Sequence, residues 1–195
     1  IKERGLKVML DIPDPGWGSP MGNSLDHGVG YTFGPYRDHF GSHCGLEIVT
    51  AEGELIRTGS GAIPGSESWQ DFHYGAGPSI DGLFAQSNFG IVTKMGVWLM
   101  PLPETYLNGM VTVPRYQDLG ALIDEVNYQE DSFLIGQPRY GSPAGGNLFA
   151  PPPPGLAELM QNGWPSIDQL ENYLSSQNAP AWSVELQFYG PEETV

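Results

Sequence analysis

The residues best equipped for chemistry lie in one run, LDIPDPGWGSPMGNSLDHGVGY, at residues 10–31. Two carboxylates, Asp14 and Asp26, flank a stretch of small residues that includes Gly16, Gly18, Ser19, Gly22, Asn23, Gly28 and Gly30. Glycine and serine let backbone N–H groups come close to a ligand, so an irregular segment of this kind can cradle a phosphate or a flat ring. A carboxylate beside the cradle can take a proton or hold a polar group of a substrate. Composition alone leaves a second reading open, a glycine-rich surface loop with no ligand. In the same way, Asp14 between Pro13 and Pro15 can close a strand by bonding its own backbone. Tyr31 can be an ordinary half-buried aromatic, and Asp26 with His27 can bond neighbouring amides.

Other constellations carry less. His39 and His43 are four residues apart with Asp38 and Cys44 alongside, but such a pair converges on one ion only on a helix. Gly41 and the strand pattern that follows it argue against a helix, so no metal site is expected. Ser66, Ser68 and Ser79 lie near His73 in sequence without a G-x-S-x-G elbow, which gives no support to a hydrolase.

The elements that must position the 10–31 run follow from hydrophobic spacing. Residues 8–12 read as a strand feeding it. Residues 45–50 and 54–58 read as a β-hairpin about a turn at 51–53, where Glu52 and Gly53 suit the bend. Ile80, Leu83 and Phe84 have helical spacing, which predicts a helix over 80–88 ended by Gly90. The β-branched run at 91–99 then predicts a buried strand. Pro101 and Pro103 of PLPE continue neither a ladder nor a helix and close this first unit.

Beyond Glu104 the pattern changes to alternating strands and helices. Residues 110–113 predict a strand, and residues 116–128 an amphipathic helix with Leu119, Leu122, Ile123 and Val126 on its apolar face. A short strand is expected at 133–135, a helix at 167–174 with Ser166 as N-cap, and a strand at 182–189. Residues 145–155 read as a loop whose four consecutive prolines, 151–154, form a stiff polyproline II spacer. No internal repeat is visible.

Composition excludes several function classes. A chain of 195 residues with 39% hydrophobic content can bury a real core in one or two domains. Its 23 acidic against 8 basic residues give a formal charge of -15, which repels nucleic-acid phosphates and anionic headgroups, so neither nucleic acid nor membrane is an expected partner. The single Cys44 excludes an intrachain disulfide framework and fits a reducing, cytoplasmic compartment. The longest apolar run, 90–100, is interrupted by Thr93, Lys94 and Gly96 and is too short to span a bilayer. The chain opens at Ile1 in mid-pattern, without Met or a signal peptide, and reads as an internal fragment.

Several blocks together carry a resemblance: VGYTFGPYRDHFGSHCGLEIV, then GAIPGSESWQ, then YGAGPSIDGLFAQSNFGIVTKMGVWLMPLPE. In order and spacing they resemble the flavoprotein family of vanillyl-alcohol oxidase, eugenol oxidase and 4-cresol dehydrogenase (p-cresol methylhydroxylase), nearly continuously over residues 10–104. The resemblance implies an α+β fold. Residues 1–104 would form the second lobe of a p-cresol methylhydroxylase (PCMH)-type FAD-binding domain, and residues 105–195 the start of an α+β cap over the substrate. It implies FAD as cofactor, commonly covalent in this family, with the attachment residue outside this chain. Pro15, Gly16, Gly18, Ser19, Met21, Gly22 and Asn23 of PDPGWGSPMGN, with Asp26, Gly28 and Gly30, would line the flavin and its pyrophosphate. Gly90, Ile91 and Val92 of GIVT would sit against the adenosine half. The physical reading supports the first group better, because a glycine-rich loop has a mechanism for cradling phosphate and an apolar strand start has none.

The family's reaction moves a hydride from the benzylic carbon of a para-substituted phenol to flavin N5, leaving a p-quinone methide that water attacks or that loses a proton. By its place in the PDxGxGS block Asp14 matches the family's active-site aspartate, which would activate the water, and Tyr31 of HGVGYT matches an active-site tyrosine. Val29 would lie on the substrate side of the same turn. Arg139 of GQPRYGS is a candidate cation for the phenolate, with a plain surface arginine as its rival. The compact GAIPGSESWQDF connection resembles 4-cresol dehydrogenase and implies a homodimer, whereas Asp14 is more oxidase-like, so either oxygen or a cytochrome would accept the electrons. Two alternatives stand beside this reading: a flavoprotein of the same fold acting on a sugar or hydroxy acid, and a fragment that is not catalytic by itself.

Overall fold

The computed structural model describes residues 1–13, 17–142 and 154–195. The chain divides into two compact units, Ile1–Pro103 and Glu104–Val195, at the PLPE segment. Both contain helices and antiparallel sheet, an α+β architecture.

The first unit is built around β2 (His43–Thr50), the centre of a three-stranded antiparallel sheet between β3 (Leu55–Arg57) and β4 (Gly90–Val97). Leu46 and Ile48 of β2 are fully buried and pack with Phe84, so the sheet has one apolar core. Glu47 is also buried, and its direct cross-strand neighbours are Arg57 on β3 and Lys94 on β4. Arg57 Nη2 reaches the Glu47 carboxylate at 2.6 Å and Lys94 Nζ at 3.3 Å, which is how a carboxylate is tolerated in a central strand. The register slips between Cys44 and Leu46, where Gly45 has φ 67. A side chain at Gly45 would crowd the Trp69 and Thr58 carbonyls, so glycine is required there for both conformation and space. The β2–β3 hairpin turns at 51–53 as its sequence predicts.

Other expectations for this unit are corrected. The strand predicted at 8–12 is only β1 (Val8–Met9), paired with β5 (Met100–Pro101), because Asp11 turns its carboxylate to donors elsewhere in the chain. The 10–31 run is not irregular throughout, since it contains α1 (Pro20–Leu25) and is followed by α2 (Gly34–Arg37). The helix predicted at 80–88 is a single 3-10 turn at Asp81–Leu83. There the Asp81 side chain is committed to His43, and Gln86, at φ 47, gives its N–H to the Leu25 carbonyl at 2.9 Å. These long-range bonds draw the backbone out of the helical path that local spacing favours. The predicted buried strand at 91–99 is β4, but Ile91 is 72% exposed, so β4 is a half-covered edge rather than a buried strand.

The second unit is a three-stranded antiparallel sheet in the order β6 (Thr105–Val113), β8 (Trp182–Gly190), β7 (Arg139–Gly141). One face of it takes α3 (Leu119–Asp131): Leu122 and Val126 pack with Ile135, Val184 and Leu186. A second cluster joins α4 (Pro154–Met160) to α5 (Ile167–Ser176) through Leu156, Leu170, Leu174 and Ala181. Ser166 caps α5 as expected, in a reciprocal capping box: the Gln169 N–H donates to Ser166 Oγ, and the Ser166 N–H to Gln169 Oε1 at 2.8 Å.

No strand forms at 133–135. Phe133 adopts φ 55, its N–H bonds the Glu130 carbonyl, and the Leu134 N–H bonds the Gln129 carbonyl. These residues are the left-handed stop of α3 rather than a strand. β6 begins five residues before its predicted start, because it pairs with β8 over its full length. The predicted spacer falls largely outside the described residues, and Gly155, at its end, belongs to α4. No helix among the described residues is long and apolar enough to cross a membrane.

Candidate active site

Asp11 organises the described part of the 10–31 run. Its side chain is buried, 7% exposed, and a buried carboxylate must find donors. Oδ1 accepts the Tyr31 N–H at 3.1 Å; Oδ2 accepts the Thr32 N–H at 3.0 Å and the Thr32 hydroxyl at 2.6 Å. Gly30 lies against this carboxylate, where a β-carbon would overlap it, although the φ of Gly30 is not left-handed. Glycine is needed at Gly30 for space alone.

Between Asp11 and Tyr31, α1 shapes the backbone. Pro20 sits at its first position, Ser19 caps it by accepting the Gly22 N–H at 3.2 Å, and the helix stops through His27 at φ 55. The His27 N–H bonds the Ser24 carbonyl at 3.0 Å and the Gly28 N–H the Asn23 carbonyl at 2.8 Å, a Schellman stop with histidine in the left-handed position. Residues 28–30 then run beside residues 37–39: the Gly30 N–H bonds the Arg37 carbonyl at 2.9 Å, and Val29 pairs with Asp38.

His39 locks this turn from beneath. It is buried, its Nδ1 hydrogen-bonds Asn23 Oδ1, and its carbonyl accepts the Ser24 hydroxyl at 2.8 Å and the Ser42 hydroxyl at 3.2 Å. With the amide oxygen of Asn23 accepting, Nδ1 carries the proton. Nε2 has no partner among the described residues.

Asp14, Pro15 and Gly16 lie outside the described residues. Gly18, Ser19 and Gly22 are exposed at the start of α1, Met21 is half-buried beside them, and Asn23 is tied to His39. A β-carbon at Gly28 would overlap the Asn23 amide, so Gly28 and Asn23 fit as a pair. Asp26 is exposed and accepts Gln86 Nε2 at 3.2 Å. Val29 is exposed and Tyr31 half-buried, one on each side of the buried Gly30. Gly90, Ile91 and Val92 are ladder residues of β4 paired with Ile48, Val49 and Thr50. Arg139 belongs to the second unit, exposed on β7, with Glu185 as its cross-strand neighbour. Sequence reading missed Asp11, Thr32 and His39 as site-shaping residues. A signal for Asp11 was present, an acidic residue ending an apolar strand, but its donors lie about twenty residues away and leave no local trace.

Gly18 and Gly22 are exposed, and along the same stretch of chain Ile12, Trp17 and Val29 leave apolar side chains in solvent, at 54%, 92% and 53%.

A second polar cluster supports the first unit without joining the site. His43 Nε2 meets Asp81 Oδ2 at 2.7 Å, its Nδ1 hydrogen-bonds the Phe40 carbonyl, and its ring stacks on Phe40. Both ring nitrogens face acceptors, so the imidazolium is the form that satisfies them. Burial lowers the His43 pKa, but the bonds to Asp81 and to Phe40, with the charges of Asp81 and Asp38, outweigh it and raise the value. For Asp81, burial acts upward, and His43 and Thr58 overcome it to hold the carboxyl below its ordinary range. Burial pushes the neighbouring Cys44 thiol up to about 11, with Asp71 adding to the shift, which leaves it a poor nucleophile. No three His, Cys, Asp or Glu side chains converge as a metal site among the described residues.

Comparison with known proteins completes the picture. No family model matches the chain. The flavoprotein subunit of 4-cresol dehydrogenase [hydroxylating] from Pseudomonas putida is 46% identical over 125 residues, covering 64% of this chain and 24% of that protein. The 1'-carboxy-chondrochloren decarboxylase of Chondromyces crocatus is 39% identical over 108 residues, 53% of this chain and 19% of that protein. Among solved structures, p-cresol methylhydroxylase with substrate bound aligns over 100% of this chain and 38% of its own, with TM-score 0.79 and 34% identity. The 4-ethylphenol oxidase of Gulosibacter chungangensis, in complex with isoeugenol, aligns over 99% of this chain and 36% of its own, with TM-score 0.75 and 33% identity. The chain thus spans a quarter or less of the curated relatives it matches.

Proposed function

We propose, since this chain belongs to the p-cresol methylhydroxylase type of flavoprotein, that the longer protein oxidises para-substituted phenols with FAD. In this reading residues 1–104 form part of the FAD-binding domain and residues 105–195 begin the cap. The observation that carries the proposal is the alignment of 100% of this chain, at TM-score 0.79, with p-cresol methylhydroxylase solved with substrate bound.

FAD, when bound, supplies the two-electron acceptor for a hydride leaving the substrate. Gly18, Ser19 and Gly22 at the exposed start of α1, with half-buried Met21 and Asn23 beside them, would hold it, with Asp26, Gly28 and Gly30 shaping the turn behind; Pro15 and Gly16 precede this stretch in sequence. Gly90, Ile91 and Val92 are proposed against the adenosine half. Asp14 serves as the carboxylate that draws a proton from water as the water adds to the benzylic carbon of the quinone methide. Tyr31 orients the substrate by its hydroxyl, and Val29 gives the ring an apolar wall. Holding the reacting carbon in one position is worth far more than any single contact, because it removes the entropy of encounter from the chemical step. Arg139 is the weakest member of the set, since its neighbour Glu185 supports a surface role. A homodimer and an electron acceptor that is either oxygen or a cytochrome complete the proposal.

The test is the visible spectrum of the full-length protein, recorded anaerobically before and after addition of 4-ethylphenol or 4-cresol. Bleaching of a bound flavin supports both cofactor and substrate class. A flavin that no 4-alkylphenol bleaches refutes the substrate and favours a different reaction on the same fold, for which the similarity to a decarboxylase is the specific precedent. Absence of flavin refutes the reading as a whole. Within the reading, Asp14→Asn slows formation of the hydrated product by more than about tenfold relative to flavin reduction, with folding intact, and an unchanged rate of hydration removes Asp14 from that role.

A further inference from the structure

We infer that Asp11 is a positioning residue for this site, its buried carboxylate fixing the Tyr31 backbone and thereby the place of the Tyr31 side chain against the substrate. The inference rests on the proposed phenol-oxidising site and adds to it a residue that touches neither substrate nor cofactor.

The geometry separates Asp11 from a general structural carboxylate. Its two oxygens grip two consecutive peptide units, Oδ1 on the Tyr31 N–H and Oδ2 on the Thr32 N–H, and Oδ2 also accepts the Thr32 hydroxyl. Bonds to successive amides from a planar group hold position and also restrict rotation of the intervening peptide, on which the direction of the Tyr31 side chain depends. On the other side the chain at Gly30 presses against the same carboxylate with no room for a β-carbon, so the segment can move neither toward Asp11 nor away from it. Asp11 itself is anchored two residues beyond β1, whose Met9 pairs with Met100 of β5. The two-residue β1–β5 pair is thereby connected through one side chain to the turn that carries Val29 and Tyr31. Asp11 is buried with both oxygens engaged by the turn, so its effect on chemistry passes through Tyr31.

The experiment uses the full-length flavoprotein and the variants Asp11→Asn, Thr32→Val and Thr32→Ser. Flavin content per chain, hydrogen–deuterium exchange of the peptide containing Tyr31 and Thr32, and the anaerobic rate of flavin reduction by 4-ethylphenol are measured, with the phenol Kd obtained from the concentration dependence of that rate. Asp11→Asn places an NH2 against donors that need an acceptor. It is expected to keep its flavin, to exchange the two amides faster, and to slow reduction about 10- to 100-fold with Kd changed by less than about threefold. Thr32→Val removes one of the three bonds and is expected to slow reduction about threefold or more, while Thr32→Ser restores the hydroxyl and the rate. Reduction rates per flavin within about twofold of wild type in both Asp11→Asn and Thr32→Val, alongside faster exchange, overturn the inference. Asp11 would then serve folding only. If Asp11→Asn holds no flavin, the contrast between Thr32→Val and Thr32→Ser decides, and equal rates overturn the inference. A wild-type flavin that 4-ethylphenol does not bleach overturns the phenol reading and with it this use of Asp11, whereas protection of the two amides still reports the grip on Tyr31 separately.

Discussion

Replacing Gly30 with alanine should damage the protein through one side chain, that of Asp11. The backbone at Gly30 accepts an L-residue, since its φ is not left-handed, so conformational strain contributes little. The added methyl group falls within the space of the Asp11 carboxylate. Asp11 must withdraw, and a retreat of only about 0.5 Å already takes bonds of 3.0 and 3.1 Å to the edge of useful hydrogen-bond geometry. A buried carboxylate that loses its partners costs about 3–5 kcal/mol, which sets the expected loss for Gly30→Ala. In an Asp11→Ala background the space is free, and the same substitution should cost about 1 kcal/mol or less. The double-mutant cycle, read from denaturant midpoints of the full-length protein at constant slope, should therefore show a coupling of about 2–4 kcal/mol. Costs that add to within about 0.5 kcal/mol would refute the argument that space at Gly30 is reserved for the carboxylate.

Three further outcomes follow from the structure. Ser166→Ala breaks the reciprocal cap of α5 and should cost about 1 kcal/mol, seen as faster hydrogen exchange in the first turn of that helix; exchange equal to wild type counts against the capping box. Leu174→Ala empties a position only 1% exposed between α4 and β8 and should cost about 2–5 kcal/mol in denaturant unfolding, a loss below about 1 kcal/mol showing that the cluster is loosely packed. The His43–Asp81 pair should give pH-dependent stability. His43 has a raised folded pKa, so its contribution is complete below its ordinary value of 6.5 and fades as pH rises through the raised value. Asp81 has a lowered folded pKa, so its contribution is complete above its ordinary value of 3.8 and fades as pH falls through the lowered one. The Tm difference between wild type and Asp81→Asn should then be largest between about pH 4 and 6.5 and shrink toward pH 9, and a difference that does not vary with pH would show that the pair is not an ion pair.

Features that neighbouring residues decide among themselves were legible along the chain. The β2–β3 hairpin, the Ser166 cap, the apolar stripe of α3 and the break at PLPE all follow from turn chemistry, capping and periodicity that act over a few residues. The blocks in residues 10–104 also carried the family resemblance, because a motif is read in order along the chain. Tertiary structure alone decided which polar side chains became internal partners. Asp11 finds its donors at Tyr31 and Thr32, Asn23 finds His39, and Asp81 finds His43, over sequence separations of 20, 21, 16 and 38 residues. Residues 80–88 show the consequence for secondary structure: their apolar spacing suits a helix, but one bond from Asp81 to a distant histidine and one from Gln86 to Leu25 hold the backbone in a tighter turn. Such pairs form because a buried polar group left unpaired costs more than a few residues of helix propensity can return.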